Sequence, residues 1–194
     1  MNKESIIVES VYNAYLCDTL DANHAYKIYD QMITEGANTD IRKAYKKCMK
    51  EFKKYANDMR QIAKKGDPND RKAFDEAKKG ALKALKKSSD VIESSSSDVG
   101  SAICGYIAIS IVDTLKWWIP ALLTAGIAFI IPKIHRFINL MSGIVRTVND
   151  GDSTLDAVNL YKQRYREYIK LNENIINNIE KKYKNNIEKK SNKK

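Results

Sequence analysis

Two histidines, three cysteines and one short acidic run are the residues best equipped for catalysis or metal binding, and their spacing denies them that chemistry. His24 and His135 each lack a second histidine four residues away, and Cys17, Cys48 and Cys104 never pair at zinc-ligand spacing. Asp150, Asp152, Thr154 and Asp156 set side-chain oxygens at every second residue, as the start of a calcium loop does. The glycine that such a loop needs at its sixth position is Leu155, and the closing acid at its twelfth is Tyr161. A helix cap in a solvated acidic loop accounts for the run. Gly100 and Gly105 lack the lysine of a phosphate-cradling loop and the strand context of a dinucleotide fold. Cys104 lies among apolar residues, which raise a thiol pKa and suit packing over nucleophilic attack. No catalytic residue, metal, cofactor or small-molecule substrate is therefore expected, and the chain reads as non-enzymatic.

The chemistry that the composition does favour is attraction to anions. Lysine and arginine number 34 against 24 aspartates and glutamates, for a formal charge of +10, which suits lipid headgroups or nucleic acid. The densest basic run is Lys181, Lys182, Lys184, Lys189, Lys190, Lys193 and Lys194. Eleven tyrosines offer stacking surfaces for bases, but they fall mostly on helix seams and read as core, so nucleic-acid binding is expected only as a nonspecific contact. The first residues lack the uninterrupted apolar core of a signal peptide, so secretion by that route is not expected. Three widely spaced cysteines suit reduced thiols and a reducing compartment.

The most informative stretch is apolar. Between Val99 and Ile131 only Asp113 and Lys116 are charged, and the sixteen residues from Trp117 to Pro132 carry no charge. As a helix those residues would extend about 24 Å against a hydrocarbon core of about 30 Å. Their flanks carry interfacial chemistry: Lys116, Trp117 and Trp118 at one end, Lys133, His135 and Arg136 at the other, with indoles to set depth and cations to snorkel. Pro120 would then sit in the first helical turn. Asp113 and Lys116 would each cost on the order of 2.5 to 3.5 kcal/mol at the bilayer centre, which argues against one continuous span over 99–131. They belong near an interface, and Asp113-Thr114-Leu115-Lys116 can instead be the polar tip of a helical hairpin. Gly100, Ser101, Gly105 and Gly126 would let its backbones approach closely. In the competing reading, 99–146 forms two helices buried inside a soluble bundle. Lysine at Ile127 and Ile130 is expected to abolish membrane association if the membrane reading holds.

The elements around this segment are helical throughout. Prolines and glycines fall where helices begin or end. Two short helices are predicted over 4–20 and 22–35, with Asp21 or Asn23 capping the second and Gly36 ending it. Thr39 caps a long helix whose residues Ile41, Tyr45, Cys48, Phe52, Tyr55, Met59 and Ile62 follow a heptad. It stops at Gly66, and Asp67-Pro68 opens the next helix, with Phe74, Ala77, Ala81, Leu85 and Val91 or Ile92 inward, folded back antiparallel. A final helix carries Leu155, Val158, Tyr161, Tyr165, Tyr168, Ile175, Ile179 and Tyr183, with Asn172 on its seam to fix register. The division predicted is 1–93 as an N-terminal helical bundle, 94–98 as a serine-rich linker, 99–148 as the apolar helical segment, and 149–194 as an amphipathic helix with a basic tail. The fold class is all-α, with long heptad-like helices around a central apolar helix or helical hairpin.

The runs from Gly66-Asp67-Pro68 to Gly105 and from Asn149-Asp150-Gly151-Asp152 to Lys190, the second carrying Asn159-Leu160-Tyr161-Lys162, resemble segments of uncharacterised lysine-rich helical proteins of large tailed bacteriophages. The resemblance covers about half the chain. It implies a phage setting, in the virion or at the host membrane, and supplies no functional residues. The leading expectation is a membrane-associated helical protein, on the intracellular side or in a virion, that inserts 99–136 into lipid and can self-associate through its heptad helices. The alternative is a soluble, virion-associated scaffold with 99–146 as its core.

Overall fold

The computed structural model describes residues 3–33, 36–95, 100–149 and 155–191. The fold is all-α: α1 (Lys3–Leu16), α2 (Ala22–Met32), α3 (Ala37–Lys65), α4 (Arg71–Ser94), α5 (Ser101–Thr124), α6 (Ile131–Asn149) and α7 (Leu155–Ser191), with no strand among the described residues. Short 3₁₀ turns at Pro68–Asp70 and Ala128–Ile130 lead into α4 and α6. Ser96, Ser97, Asp98 and Val99 of the junction and the acidic run from Asp150 to Thr154 lie outside the described residues.

Local chemistry sets most helix ends. Asp21 caps α2 by accepting from the backbone N–H groups of Asn23 and His24. α3 ends at Gly66, which takes the left-handed conformation that glycine adopts without penalty. Asp67 then accepts from the Asn69 N–H, and Pro68 opens the turn into α4. Three predicted ends move, and that of α2 is one: it closes at Ile33, whose N–H bonds to the Tyr29 carbonyl, and not at Gly36. α1 stops at Leu16, not 20, because Asp18 takes the left-handed conformation, its N–H bonding to the Tyr15 carbonyl and that of Thr19 to the Ala14 carbonyl. Gly36 is the N-cap of α3, its carbonyl accepting from the N–H of Thr39, so Thr39 lies in the first turn and is not the cap.

α3 and α4 form the expected antiparallel hairpin, the most extensively packed pair in the molecule. Tyr45, Cys48, Phe52 and Met59 of the α3 seam and Phe74, Ala77, Ala81, Leu85 and Ile92 of α4 are buried, and Tyr55 stays partly exposed. α7 runs parallel to α3 along this hairpin. Its Tyr165 meets Tyr45 edge-on, and its Tyr183 stacks on Phe74 at 4.5 Å between ring centres. α5 lies between these helices on one side and the α1–α2 pair on the other, and α6 folds back along it. The hydrophobic core takes buried residues from every helix.

Tyrosine hydroxyls pin this core. Tyr45 donates to Ser110, Tyr165 to Ser88, Tyr29 to the Val8 carbonyl and Tyr183 to the Asp67 carbonyl. Each of these tyrosines supplies apolar area and a polar handle together, and so ties its helix to a neighbouring segment. Where α1 and α2 cross α5, Gly105 leaves the gap: a Cβ there would sit 2.8 Å from both Val8 and Tyr29. The Tyr29 ring cannot retreat while it holds the Val8 carbonyl. Gly105→Ala should therefore lower unfolding stability in urea by about 1–3 kcal/mol. Gly80→Ala also clashes with a tyrosine, its Cβ lying 2.7 Å from Cγ of Tyr55, but Tyr55 is 36% exposed and can change rotamer toward water, so that change should cost less than Gly105→Ala. Equal effects of the two would remove close packing as the reason for Gly105.

Candidate functional site

The site is the end of the bundle where the apolar segment turns. α5 runs without interruption through Asp113-Thr114-Leu115-Lys116, so this tetrapeptide is not the tip of a hairpin. Its two charges are neutralised by neighbouring helices, Asp113 by Lys53 of α3 and Lys116 by Asp18 at 3.0 Å. Lys116 also lies over the Tyr15 ring. Pro120 falls inside α5, not in its first turn.

The true tip follows Thr124. Gly126 is left-handed, its N–H bonds to the Leu123 carbonyl, and the Ile127 N–H reaches back to the Leu122 carbonyl at 2.8 Å. This arrangement satisfies the last carbonyls of α5, and the buried Leu122 and Ile127 close it. The turn sets α6 beside α5. The two basic and aromatic flanks therefore stand on neighbouring arms of one hairpin, and not at opposite ends of a straight span.

Those flanks differ. On the α5 arm Trp118 is fully buried, its Nε1–H donating to Oδ1 of Asn172 at 2.9 Å, and Asn172 donates to the Tyr168 carbonyl. Trp117 is half-buried beneath the Arg60 guanidinium, 4.2 Å from its ring centre. On the α6 arm Lys133, His135 and Arg136 are exposed. The apolar residues that reach water at the tip are Leu123, 58% exposed, and Phe129, 67% exposed. Ile127 and Ile130 are buried, so lysine at those positions would test folding and not lipid contact.

Comparison of the chain with family models, with curated proteins and with solved structures gave no match. The site is therefore read from its own geometry.

Beside the tip lies a cavity of about 230 Å³ between the ends of α3 and α5 and the distal part of α7. Arg60, Lys64 and Lys182 line it with Thr124 and Ala125, and no carboxylate is among its lining residues. A Cβ placed on Gly126 would lie 3.7 Å from Nζ of Lys182, which ties the cavity to the turn. Burial lowers the Arg60 pKa, as expected for a cation drawn partly out of water. Among the described residues no group of three or more histidines, cysteines or carboxylates gathers as a metal site would require.

Sequence reasoning singled out the α6 cations and missed Leu123, Phe129 and the cavity. The two apolar residues sit inside an uncharged run in which exposed and buried positions look alike. The three cavity cations come from α3 and α7, which only the tertiary fold brings together. Ala125-Gly126-Ile127, a glycine followed by an apolar residue, is the one local signal that could have placed the turn.

Proposed function

We propose that this chain is a non-enzymatic helical bundle that binds anionic membranes peripherally through the α5–α6 tip while α5 stays in the core. The observation that carries the reading is the exposure of Leu123 and Phe129 at a turn bordered by cations. α5 and the stretch 128–145 are each long and apolar enough to cross a bilayer, but most of α5 is buried within the bundle. Its charges are paired there, so leaving would break contacts that lipid cannot replace.

The magnitudes suit reversible docking. Two side chains already partly shielded gain about 1 kcal/mol each on entering the headgroup boundary. Each nearby cation adds about 1 kcal/mol on an anionic surface. The sum is of the order of a single fatty-acyl anchor, which binds marginally and reversibly. The resemblance described above would place that surface in a phage-infected host.

Flotation with phosphatidylglycerol vesicles tests this. The intact chain should float, and Leu123→Ser with Phe129→Ser should weaken binding some thirtyfold, for the loss of about 2 kcal/mol, with helicity unchanged. A chain that ignores vesicles would favour the second reading, a soluble scaffold. That reading is supported by the burial of α5.

A further inference from the structure

The cavity beside the tip carries the inference furthest. It is concave and joins side chains from three helices around one volume. Arg60 and Lys64 are four residues apart on one face of α3, and Lys182 faces them from α7 across Thr124 and Ala125 of α5. A larger groove runs between α4 and α7, but there Asp75, Asp90, Glu173 and Glu180 accompany the lysines and neutralise them. The cavity at the tip has no such internal counter-charge. Its cations would repel one another unless an anion came between them.

We infer that Arg60, Lys64 and Lys182 form a binding site for a phosphate group, supplied by the headgroup of an anionic phospholipid. A guanidinium presents a planar fork of donors to two phosphate oxygens, and ammonium groups supply point charges to the others. The stack on Trp117 holds the Arg60 fork in place before any ligand arrives. Thr124 and Gln61 add neutral polar groups at the wall. The volume far exceeds the roughly 10–15 Å³ that accommodates one water, so a phosphate can enter with part of its hydration shell. Leu123 directly precedes the wall residues Thr124 and Ala125, and Phe129 follows Gly126 by three residues. An apolar wedge next to a phosphate site matches the two layers of a lipid interface. The lipid source rests on the membrane reading above, whereas the phosphate chemistry does not.

The test uses the full chain with phosphatidic acid vesicles, and separately with inorganic phosphate against chloride at equal ionic strength. Tryptophan emission reports the ring under Arg60. Three variants are compared: Lys64→Gln/Lys182→Gln at the site, Lys79→Gln/Lys86→Gln as an equal charge change on α4, and Leu123→Ser/Phe129→Ser at the wedge. The site pair should weaken vesicle binding about fivefold per lysine and abolish the emission change with phosphate. The α4 pair should stay close to the parent in both assays, and the wedge pair should lose vesicles while keeping the phosphate response. Equal weakening by the two lysine pairs, with phosphate acting no differently from chloride, would overturn the site and leave membrane docking standing. A phosphate response that depends on Lys64 and Lys182, in a chain that binds no vesicles, would uphold the site and sink the lipid source.

Discussion

Trp118→Ala should remove about 3–5 kcal/mol of unfolding stability, a large share of the 5–15 kcal/mol that a domain commonly has. The indole is fully buried, and its ring meets Phe52 edge-on at 6.3 Å and Trp117 at 4.9 Å. Truncation leaves a cavity at the meeting point of α3, α5 and α7. It also strips Oδ1 of Asn172 of its donor in a place that water does not reach. Trp118→Phe keeps most of the volume but still orphans Asn172, and should cost about 1–3 kcal/mol. Asn172→Leu orphans the indole N–H and should cost a similar amount. Combined, the two changes remove donor and acceptor together, so the double variant should be more stable than the sum of the singles implies. Chemical denaturation followed by circular dichroism measures all four chains; strict additivity would show that the Trp118–Asn172 bond carries no weight.

Alkali should unfold the chain in one cooperative step, with tyrosinate absorbance rising together with the loss of helical circular dichroism. Burial pushes the hydroxyls of Tyr45, Tyr161, Tyr165 and Tyr168 well above their ordinary value. Tyr106 is pushed up to about 12, chiefly by burial, with Asp30 adding to it and Arg42 opposing. Burial likewise raises the Cys104 thiol to about 12. Each folded-state value lies above that of the unfolded chain, near 10 for tyrosine and 8.5 for cysteine. The stability they contribute is therefore fully present below the unfolded values and is lost as pH climbs toward the folded ones. With so many groups shifted the same way, the window opens near pH 8.5 with Cys104, steepens near pH 10 with the tyrosines, and closes with collapse of the core. A tyrosinate signal that grew gradually while helicity held constant would mean that these hydroxyls meet solvent, and would contradict the packing.

Periodicity made the outer helices legible. The α3 and α4 seams, the Gly66-Asp67-Pro68 corner and the buried Asn172 all follow from residue spacing and local backbone chemistry, which the tertiary fold does not override. The apolar segment was less legible for a physical reason. In α5 nearly every face is covered, so no polar stripe marks which side looks outward, and Asp113 and Lys116 look like a tip when their partners Lys53 and Asp18 lie far away in sequence. Gly126 carried the turn, but glycine also serves close helix packing, and composition alone does not separate the two uses. The tip residues Leu123 and Phe129 became visible only once their exposure was known.

The parallel alignment of α5 and α7 has a bearing on synthesis. Trp118 is made well before Asn172, the residue that holds it, and at about 5–20 residues per second several seconds separate them. During that interval α3 and α4 can close on each other, since their pairing is local, but the face of α5 that α7 covers has nothing to cover it. That one face of the chain's most apolar helix is thus born uncovered, the faces turned to α1, α2 and α3 having partners already made, and what first settles on it is decided by whether α7, a chaperone or a lipid surface arrives first.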